Sequence, residues 1–568
     1  MRRPVWIEPA PVPDGHPMFD HDPLLNLLLV SRVGDAVSAA DFLDSSPRPA
    51  PDPSLLPGMT VAARRVSRAI ADDESIAIYG DYDVDGISAT ALLVHALGAA
   101  QKARSAPRAY LPTRANGYGL NPAAIDDMAG AGVSLLIAVD CGSTDSANVA
   151  RAQARGLDVV ILDHHQMDGP GPAGAFVASA QFTPEGPYRE MAAAGVAYLL
   201  TVELSRLDHD VGNGLGREPV SLLDLVALGT IGDVAPLIGV NRHLVRDGLR
   251  VIADQPRPGV SALSQRAGVP TRTVTAEQVA FKLAPRLNAA GRMADPRLAF
   301  DLLMTDDPRE AARLAQELET LNSHRRTESQ RVVTEAEDLL ARRPDLETKR
   351  LLVLTRPGWG AGVLGLAAGR LAERFGRPVI VLSDDGEMSR GSARSVPGFD
   401  ITRGLASCSD LLQTYGGHSQ AAGLTIPTAS LPILEQALEA ALVAADISAP
   451  GPPALRIDAD LPVDRLNART ASLIGRLEPF GLSNPLPLLR VRRVRVRSYN
   501  ALGADRSHLK MHLETPNGVV PALFWGAAER SSELVRSRDI DVVATLGFDY
   551  WNNERRLHIE IKDFRPSA

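Results

Sequence analysis

Three apolar runs before residue 166, "SIAIYG", "SLLIAVD" and "DVVILD", are each followed by a polar turn and then by Ala/Leu-rich, helix-forming sequence. This alternation is the signature of strands linked through helices, so the fold class is α/β with a mostly parallel sheet. In such a sheet, ligands collect beyond the carboxyl ends of the strands. The chain places acid there three times: Asp81, Asp83 and Asp85 in "GDYDVDG", Asp140 in "VDCG", and Asp163 with His164 and His165 in "LDHHQ". A lone Asp at a strand end usually caps a helix or closes a turn. Five carboxylates and two imidazoles converging on one sheet edge repel or strain one another unless a cation sits among them.

The donor types narrow the choice of cation. "DYDVDG" matches the first half of a calcium-binding EF-hand loop, but Leu92 stands where the bidentate Glu is required, and the stretch follows a strand. Mixed carboxylate and imidazole ligands favour Mn²⁺ or Mg²⁺ and tolerate Zn²⁺. A cysteine cage is excluded, since Cys141 and Cys408 share no short spacing; they form no disulfide framework either, which suits a reducing compartment. Two such ions about 3.5–4 Å apart activate a water and steady a leaving oxygen, which is the chemistry of phosphodiester hydrolysis.

With 568 residues the chain is long enough for about three to four domains. Residues 1–55, rich in Pro and Asp with an apolar run at Leu24 to Val30, read as an extended arm or small cap. An α/β catalytic domain is expected over 56–307. Residues 308–345 hold a long stretch without Pro or Gly until Pro344, which predicts one connecting helix of about 50 Å. A second, smaller α/β domain is expected over 346–450, and "SAPGPPA" reads as a linker. The alternating runs "VRRVRVRSY", "VVPALFW" and "RRLHIEIKDF" within 455–568 predict a small β-barrel. The N-terminus has two arginines but no apolar run behind them, and no segment reaches about 18 apolar residues, so a cytoplasmic location is expected. A net charge of -8 excludes a uniformly basic surface yet leaves room for a local basic channel.

"GDYDVDG", "VDCG", "LDHHQ" and "LGTIGDVAPL" occur in the order and spacing of the four motifs of the DHH phosphoesterase superfamily, which this chain resembles. The resemblance implies that Asp83, Asp85, Asp140, His164 and Asp233 bind metal, with Asp81, Asp163 and His165 in catalytic or supporting roles. "WGAGVLGLAAGRL", "GSARS" and "GGHSQAAG" are similar to the associated DHHA1 lobe. In that lobe a Gly-Gly-His turn would let backbone approach an anion beside His418, while Ser392 and Arg394 would suit a phosphate. "PRLNAAGRM" reads locally as a helix end; the resemblance makes Arg286, Asn288 and Arg292, with Arg114, weaker candidates for DNA or phosphate contact.

The tail decides among family members. Small DHH enzymes acting on short RNA or cyclic dinucleotides stop after the DHHA1 lobe, whereas "LEPFGLSNPLP" and a β-rich segment follow here, as in the family's long nucleases with an OB-fold. That arrangement implies 5′-to-3′ exonuclease action on single-stranded DNA in recombination and repair. It also implies Mn²⁺ or Mg²⁺, two ions, and partners such as a single-strand-binding protein and a RecQ-type helicase. Arg493, Arg495 and Arg497 fall on one face of a strand, opposite Val494 and Val496, and Tyr499, Phe524, Trp525, Tyr550 and Trp551 are candidate stacking platforms. Two positions depart from the pattern: Gly360 stands where a His is usual, and the Asn-Pro pair expected after the DHH motif is replaced near "FVASAQF". Some relatives have lost metal binding and act as scaffolds, but they also lose the acidic motifs that are intact here.

Overall fold

The structure is a computed structural model that describes residues 3–10, 18–98, 106–114, 117, 119–167, 169–183, 185–207, 218–343, 346, 348–447, 454–503, 506–536, 538–551 and 554–567. It divides into two compact units. One consists of residues 6–285, 299–315 and 454–568, the other of 1–5, 286–298 and 316–453. Among the described residues no helix is long and apolar enough to cross a membrane.

The chain begins with a short strand, β1 (Val5–Ile7), and the larger unit is built on a five-stranded parallel sheet. The sheet contains β2 (Ile76–Tyr79), β3 (Arg108–Tyr110), β4 (Leu135–Val139), β5 (Asp158–Asp163) and β6 (Phe176–Ser179), in the order β3-β2-β4-β5-β6. The three apolar runs are therefore the three central strands, and every residue of β2 and β4 is buried, as a parallel sheet covered on both faces requires. Helices follow β2 at Val84–Gly98 and β4 at Ser146–Ala154. The third run differs from expectation. After β5 the chain makes a loop and adds β6 before the helix Ala193–Leu207 begins.

The smaller unit carries a mixed sheet of β7 (Leu352–Thr355), β8 (Val379–Asp384), β9 (Met388–Arg394), β10 (Thr414–His418) and β11 (Ala421–Pro427), ordered β10-β11-β9-β8-β7. Only β7 and β8 run parallel. One uninterrupted 34-residue helix, Pro308–Ala341, carries the chain from the larger unit into the smaller, about 51 Å at 1.5 Å per residue.

After β12 (Ala454–Arg456), the C-terminal segment forms the barrel that its alternation predicts. The strands β13 (Ala459–Asp460), β14 (Leu489–Leu502), β15 (His508–Thr515), β16 (Gly518–Phe524), β17 (Asp539–Trp551) and β18 (Glu554–Pro566) run in the order β13-β14-β15-β16-β18-β17. Pairing of β17 with β14 closes the ring. The register of β14 shifts between Val491 and Val494, where Arg493 sits at φ +53°, a bulge that bends the strand round the corner.

The N-terminal segment is not simply an extended arm. Asp22 and Asp35 cap two helices, Pro23–Val30 and Ala36–Leu43, and Leu24, Leu25, Leu28, Leu29 and Phe42 pack into the same core as Val491, Val494, Val496, Leu513 and Phe564. Trp6 Nε1 donates to Asp563 at 2.6 Å. An apolar run this short cannot bury itself, and the barrel supplies the missing wall.

Candidate metal centre

Each acidic motif is held by a local job that its position in the fold imposes. Asp83 caps the helix Val84–Gly98, its Oδ1 accepting from the N–H groups of Asp85 and Gly86 at 2.9 and 3.2 Å. Asp85 sits in that helix's first turn, fully buried, and its two oxygens accept from Ala193 N at 2.7 Å and Ala194 N at 3.0 Å, the start of the helix Ala193–Leu207. Any Cβ at Gly229 would come 2.5 Å from Asp85 Oδ1, so glycine is needed where the helix Leu223–Gly232 crosses. Asp233 closes that helix as its C-cap. Asp140 follows β4 at φ +62°, a left-handed conformation costly for any residue with a Cβ.

The fold brings the motifs together. His164 Nε2 lies 3.1 Å from Asp140 Oδ1 and 3.9 Å from Asp85 Oδ2, and His164 Nδ1 lies 3.9 Å from Asp233 Oδ2. His165 Nδ1 is 3.8 Å from Asp140 Oδ1. Three groups have ligand atoms within 4.8 Å of one another: Asp81, Asp83 and Asp140; Asp140, His164 and His165; Asp85, His164 and Asp233. They share Asp140 and His164, so the cluster is continuous. Geometry thus puts Asp81 and His165 among the residues able to hold a metal, beside the five that the resemblance indicates.

Asp163 is set apart. Its carboxylate accepts from Ser143 Oγ at 2.5 Å, Ser143 N at 3.2 Å, His164 N at 2.8 Å and His165 N at 3.2 Å, and it lies 2.8 Å from His165 Nδ1. Burial opposes ionisation, yet these partners, His165 foremost, hold it well below the usual carboxylate range. Asp163 therefore orients His165. Ser143, and Gln181, whose Nε2 donates to His164 O at 2.9 Å, are supports that motif reading passed over. The "GST" after Asp140 was a signal for the first. Gln181, within the segment that replaces Asn-Pro, has no local signal.

Electrostatics shows how the other groups behave. Burial, then the charges of Asp85 and Asp83, push Asp140 well above the ordinary carboxylate range. Burial and the neighbouring Asp83 push Asp81 up to about 7, and burial likewise takes Asp233 to about 7 against the attraction of His164. Burial would lower both imidazoles, but Asp163 raises His165 to about 9, and Asp233 and Asp85 raise His164. Asp81 Oδ1 is buried without a hydrogen-bond partner among the described residues. Crowded, desolvated carboxylates that hold on to protons, with one orphaned oxygen, are what a site built around divalent charge looks like by itself. The oxygen and imidazole donors fit Mn²⁺ or Mg²⁺.

The phosphate candidates fall on the smaller unit, apart from Arg114. Cross-strand register aligns His418 with Ala421 and Ala421 with Arg394, and aligns Ser392 with Gly423, so Ser392, Arg394 and His418 share one sheet face. A Cβ at Gly365 would lie 2.9 Å from Arg394 Nη2 and 3.3 Å from Ser392 Oγ; glycine there lets the helix Ala361–Phe375 rest on both side chains. "GGH" is not a turn: it ends β10, and Gly417 at φ +145° faces Ala421 O, where a Cβ would clash at 2.2 Å. The close approach serves strand pairing. Gly360 N-caps the helix Ala361–Phe375.

"PRLNAAGRM" forms the helix Ala284–Met293 to its last residue, and the helix continues through Gly291. There Arg286 is paired with Glu319 at 2.5 Å, Arg292 Nη1 donates to Gly362 O at 3.4 Å, and Asn288 is half-buried. Arg114 stacks on the Tyr82 ring at 4.6 Å, next to the first acidic motif. On the barrel, Arg493, Arg495 and Arg497 are exposed and Val494 and Val496 buried, as the alternation predicts. Phe524 and Tyr499 pack against the barrel core, whereas Trp525 is 51% exposed and meets His508 edge-on. The side chains of Tyr550 and Trp551 lie outside the described residues.

A parallel sheet whose strand ends gather this carboxylate and imidazole cluster is the architecture of a DHH-type phosphoesterase, and the family model of the DHH N-terminal domain matches residues 75–230. Further models match the DHHA1 domain over 348–446 and the RecJ OB domain over 457–563. The single-stranded-DNA-specific exonuclease RecJ of Bacillus subtilis is 34% identical over 95% of this chain and 68% of its own length. RecJ of Salmonella typhimurium is 31% identical over 96% of both chains. The crystal structure of Thermus thermophilus RecJ in complex with Mn²⁺ superposes with a TM-score of 0.82 at 29% identity, covering 100% of this chain and 80% of that one; a Mg²⁺ complex of the same protein gives 0.76. The chain belongs to the RecJ family.

Proposed function

We propose that this chain is a metal-dependent exonuclease that removes nucleotides from single-stranded DNA in the 5′-to-3′ direction, in recombination and repair. The observation that carries the reading is the meeting of Asp140, His164, Asp85 and Asp233 within 4 Å steps, on a chain that three family models cover in order. Asp83, Asp85, Asp140, His164 and Asp233 hold the Mn²⁺ or Mg²⁺ ions, with Asp81 and His165 completing the set. When bound, the ions supply a water ionised near neutral pH and neutralise charge on the scissile phosphate.

The chain's own groups do the rest. Asp163, kept ionised by its donors, fixes the ring of His165 beside Asp140. The backbone donors at Ala193 and Ala194 hold Asp85 so that its carboxylate need not reorganise during turnover. Ser392, Arg394 and His418 grip a phosphate, Arg114, Arg286, Asn288 and Arg292 contact the DNA backbone, and the exposed Arg495 and Arg497 of the barrel hold the strand beyond. On this reading the catalytic domain is 56–307 and the DHHA1 domain 346–450, joined through 308–345, with the DNA-binding barrel over 455–568 and a location in the cytoplasm. Family resemblance also supports a single-strand-binding protein and a RecQ-type helicase as partners.

Oligonucleotides labelled at the 5′ or 3′ end, single-stranded or blunt duplex, incubated with Mn²⁺, Mg²⁺ or chelator, test the function. Early release of the 5′ label from single strands, in either metal and not in chelator, is expected. Equal cleavage of duplex, or loss of the 3′ label first, would overturn it.

A further inference from the structure

The middle of the long helix carries a second feature that the metal centre does not use. A groove of about 950 Å³, open to solvent, runs along it. Ser323, Arg326, Thr327, Gln330 and Thr334 line one side together with the paired Arg331 and Glu335, and Arg370 from the helix Ala361–Phe375 lines the other. The spacing i, i+3, i+4, i+7, i+11 puts the first five on a single stripe, about 16 Å long at 1.5 Å per residue. All of these side chains but Glu335, which is tied up by Arg331, offer a hydrogen-bond donor, and no aliphatic or aromatic residue is among the described residues that line the groove.

The charges are not balanced locally. Arg331 is tied to Glu328 and Glu335 at 2.8 and 3.2 Å, and Arg286 to Glu319. Among the described residues Arg370 has only Gln330 Oε1, at 3.4 Å, and Arg326 has no ion-pair partner. Arg325, one position along, has a buried Nε without a hydrogen-bond partner among the described residues. Burial, and then the charges of Arg370, Arg326 and Arg286, hold its guanidinium below its usual value. Arg326 and Arg370 thus bring unpaired positive charge to the groove beside the buried Arg325, and an anion there would offset it.

We propose that this groove, centred on Arg326 and Arg370, is a track for the phosphodiester backbone of single-stranded DNA, read without regard to sequence. An open, elongated groove with hydroxyl, amide and guanidinium donors fits a passing chain of phosphates, and none of the described lining residues is an aromatic on which a base could stack. The proposal rests on the nuclease reading and extends it to a set of residues on the long helix, separate from Ser392, Arg394 and His418.

The test uses the full chain and fluorescein-labelled dT30 in chelator, so that binding is read without cleavage. Anisotropy titrations across a salt series compare the parent with Arg326→Ala/Arg370→Ala and with Arg326→Lys/Arg370→Lys. With the thermal midpoint unchanged, the alanine pair should bind about tenfold more weakly at physiological salt. Its slope of log K against log salt should fall by about 1.4, at about 0.7 for each single-strand phosphate that the protein no longer neutralises. The lysine pair should keep most of that slope. An unchanged slope overturns the proposal. So does a loss confined to a nucleoside triphosphate competitor, which would make the groove a free-nucleotide site. If the parent itself fails to bind dT30, it is the nuclease reading that falls.

Discussion

Asp81→Asn tests whether the acidic cluster is strained until it holds metal. The carboxyl is 6% exposed, its Oδ1 has no hydrogen-bond partner among the described residues, and burial with the adjacent Asp83 raises it from 3.8 to about 7. At about 1.36 kcal/mol per unit, ionised Asp81 costs the folded chain about 4 kcal/mol at pH 8. A raised folded value means that this cost is absent below about pH 4, grows between about 4 and 7, and is constant above. Asparagine keeps the shape and removes the charge; its own buried amide returns about 1–2 kcal/mol of the gain. In chelator at pH 8 the variant should thus be more stable by about 2 kcal/mol, a calorimetric midpoint a few degrees higher. At pH 4 the advantage should vanish. Added Mn²⁺ should reverse the order, because binding at a hundred times Kd stabilises the parent by about 2.7 kcal/mol while the variant has lost a donor. A variant no more stable than the parent at pH 8 in chelator, or one that gains as much from Mn²⁺, would refute the reasoning.

Other perturbations separate site from scaffold. Asp83→Ala and His164→Ala should each abolish nearly all nuclease activity, read by release of nucleotides from a 5′-labelled single strand; parental rates in either would discard the ligand assignment. Arg257, 4% exposed, pairs with Asp224 through Nε at 2.5 Å and Nη2 at 2.8 Å, so Arg257→Met should cost about 3–5 kcal/mol by leaving a buried carboxylate unpaired, measured by urea denaturation. Removing 455–568 should do more than weaken DNA binding: it uncovers Leu24, Leu25, Leu28 and Leu29, so the truncated chain should aggregate or bind a hydrophobic dye. Arg495→Glu/Arg497→Glu leaves that core intact and should lower the affinity for dT30 without moving the melting midpoint.

The motifs were legible because their chemistry is written locally. Acid beyond an apolar run marks a strand end, and strand ends of a parallel sheet face a common edge, so Asp81, Asp83, Asp85, Asp140, Asp163, His164 and His165 could be placed from their neighbours alone. The barrel followed from alternation, and the long helix from the missing Pro and Gly. Less was visible where a residue's role depends on a distant partner. Asp163 and His164 are adjacent in sequence, yet Ser143 and two backbone N–H groups take up the first while the second faces three other carboxylates. Asp85 gains its donors from a helix that starts 108 residues later. The "GGH" glycines read as a turn because a turn and a tight strand crossing ask for the same absence of a Cβ.

The primary structure by itself thus determined the class of chemistry and the order of the lobes, since donor type, strand periodicity and chain breaks are properties of short segments. Which carboxylate is taken up by hydrogen-bond donors and which faces the other acids and imidazoles, where the N-terminal leucines are buried, and how the arginines of the long helix and of Ala361–Phe375 come to face each other were decided only in three dimensions. Hydrogen bonding, desolvation and charge repulsion act across space, and residues far apart in sequence meet only when the chain has closed around them.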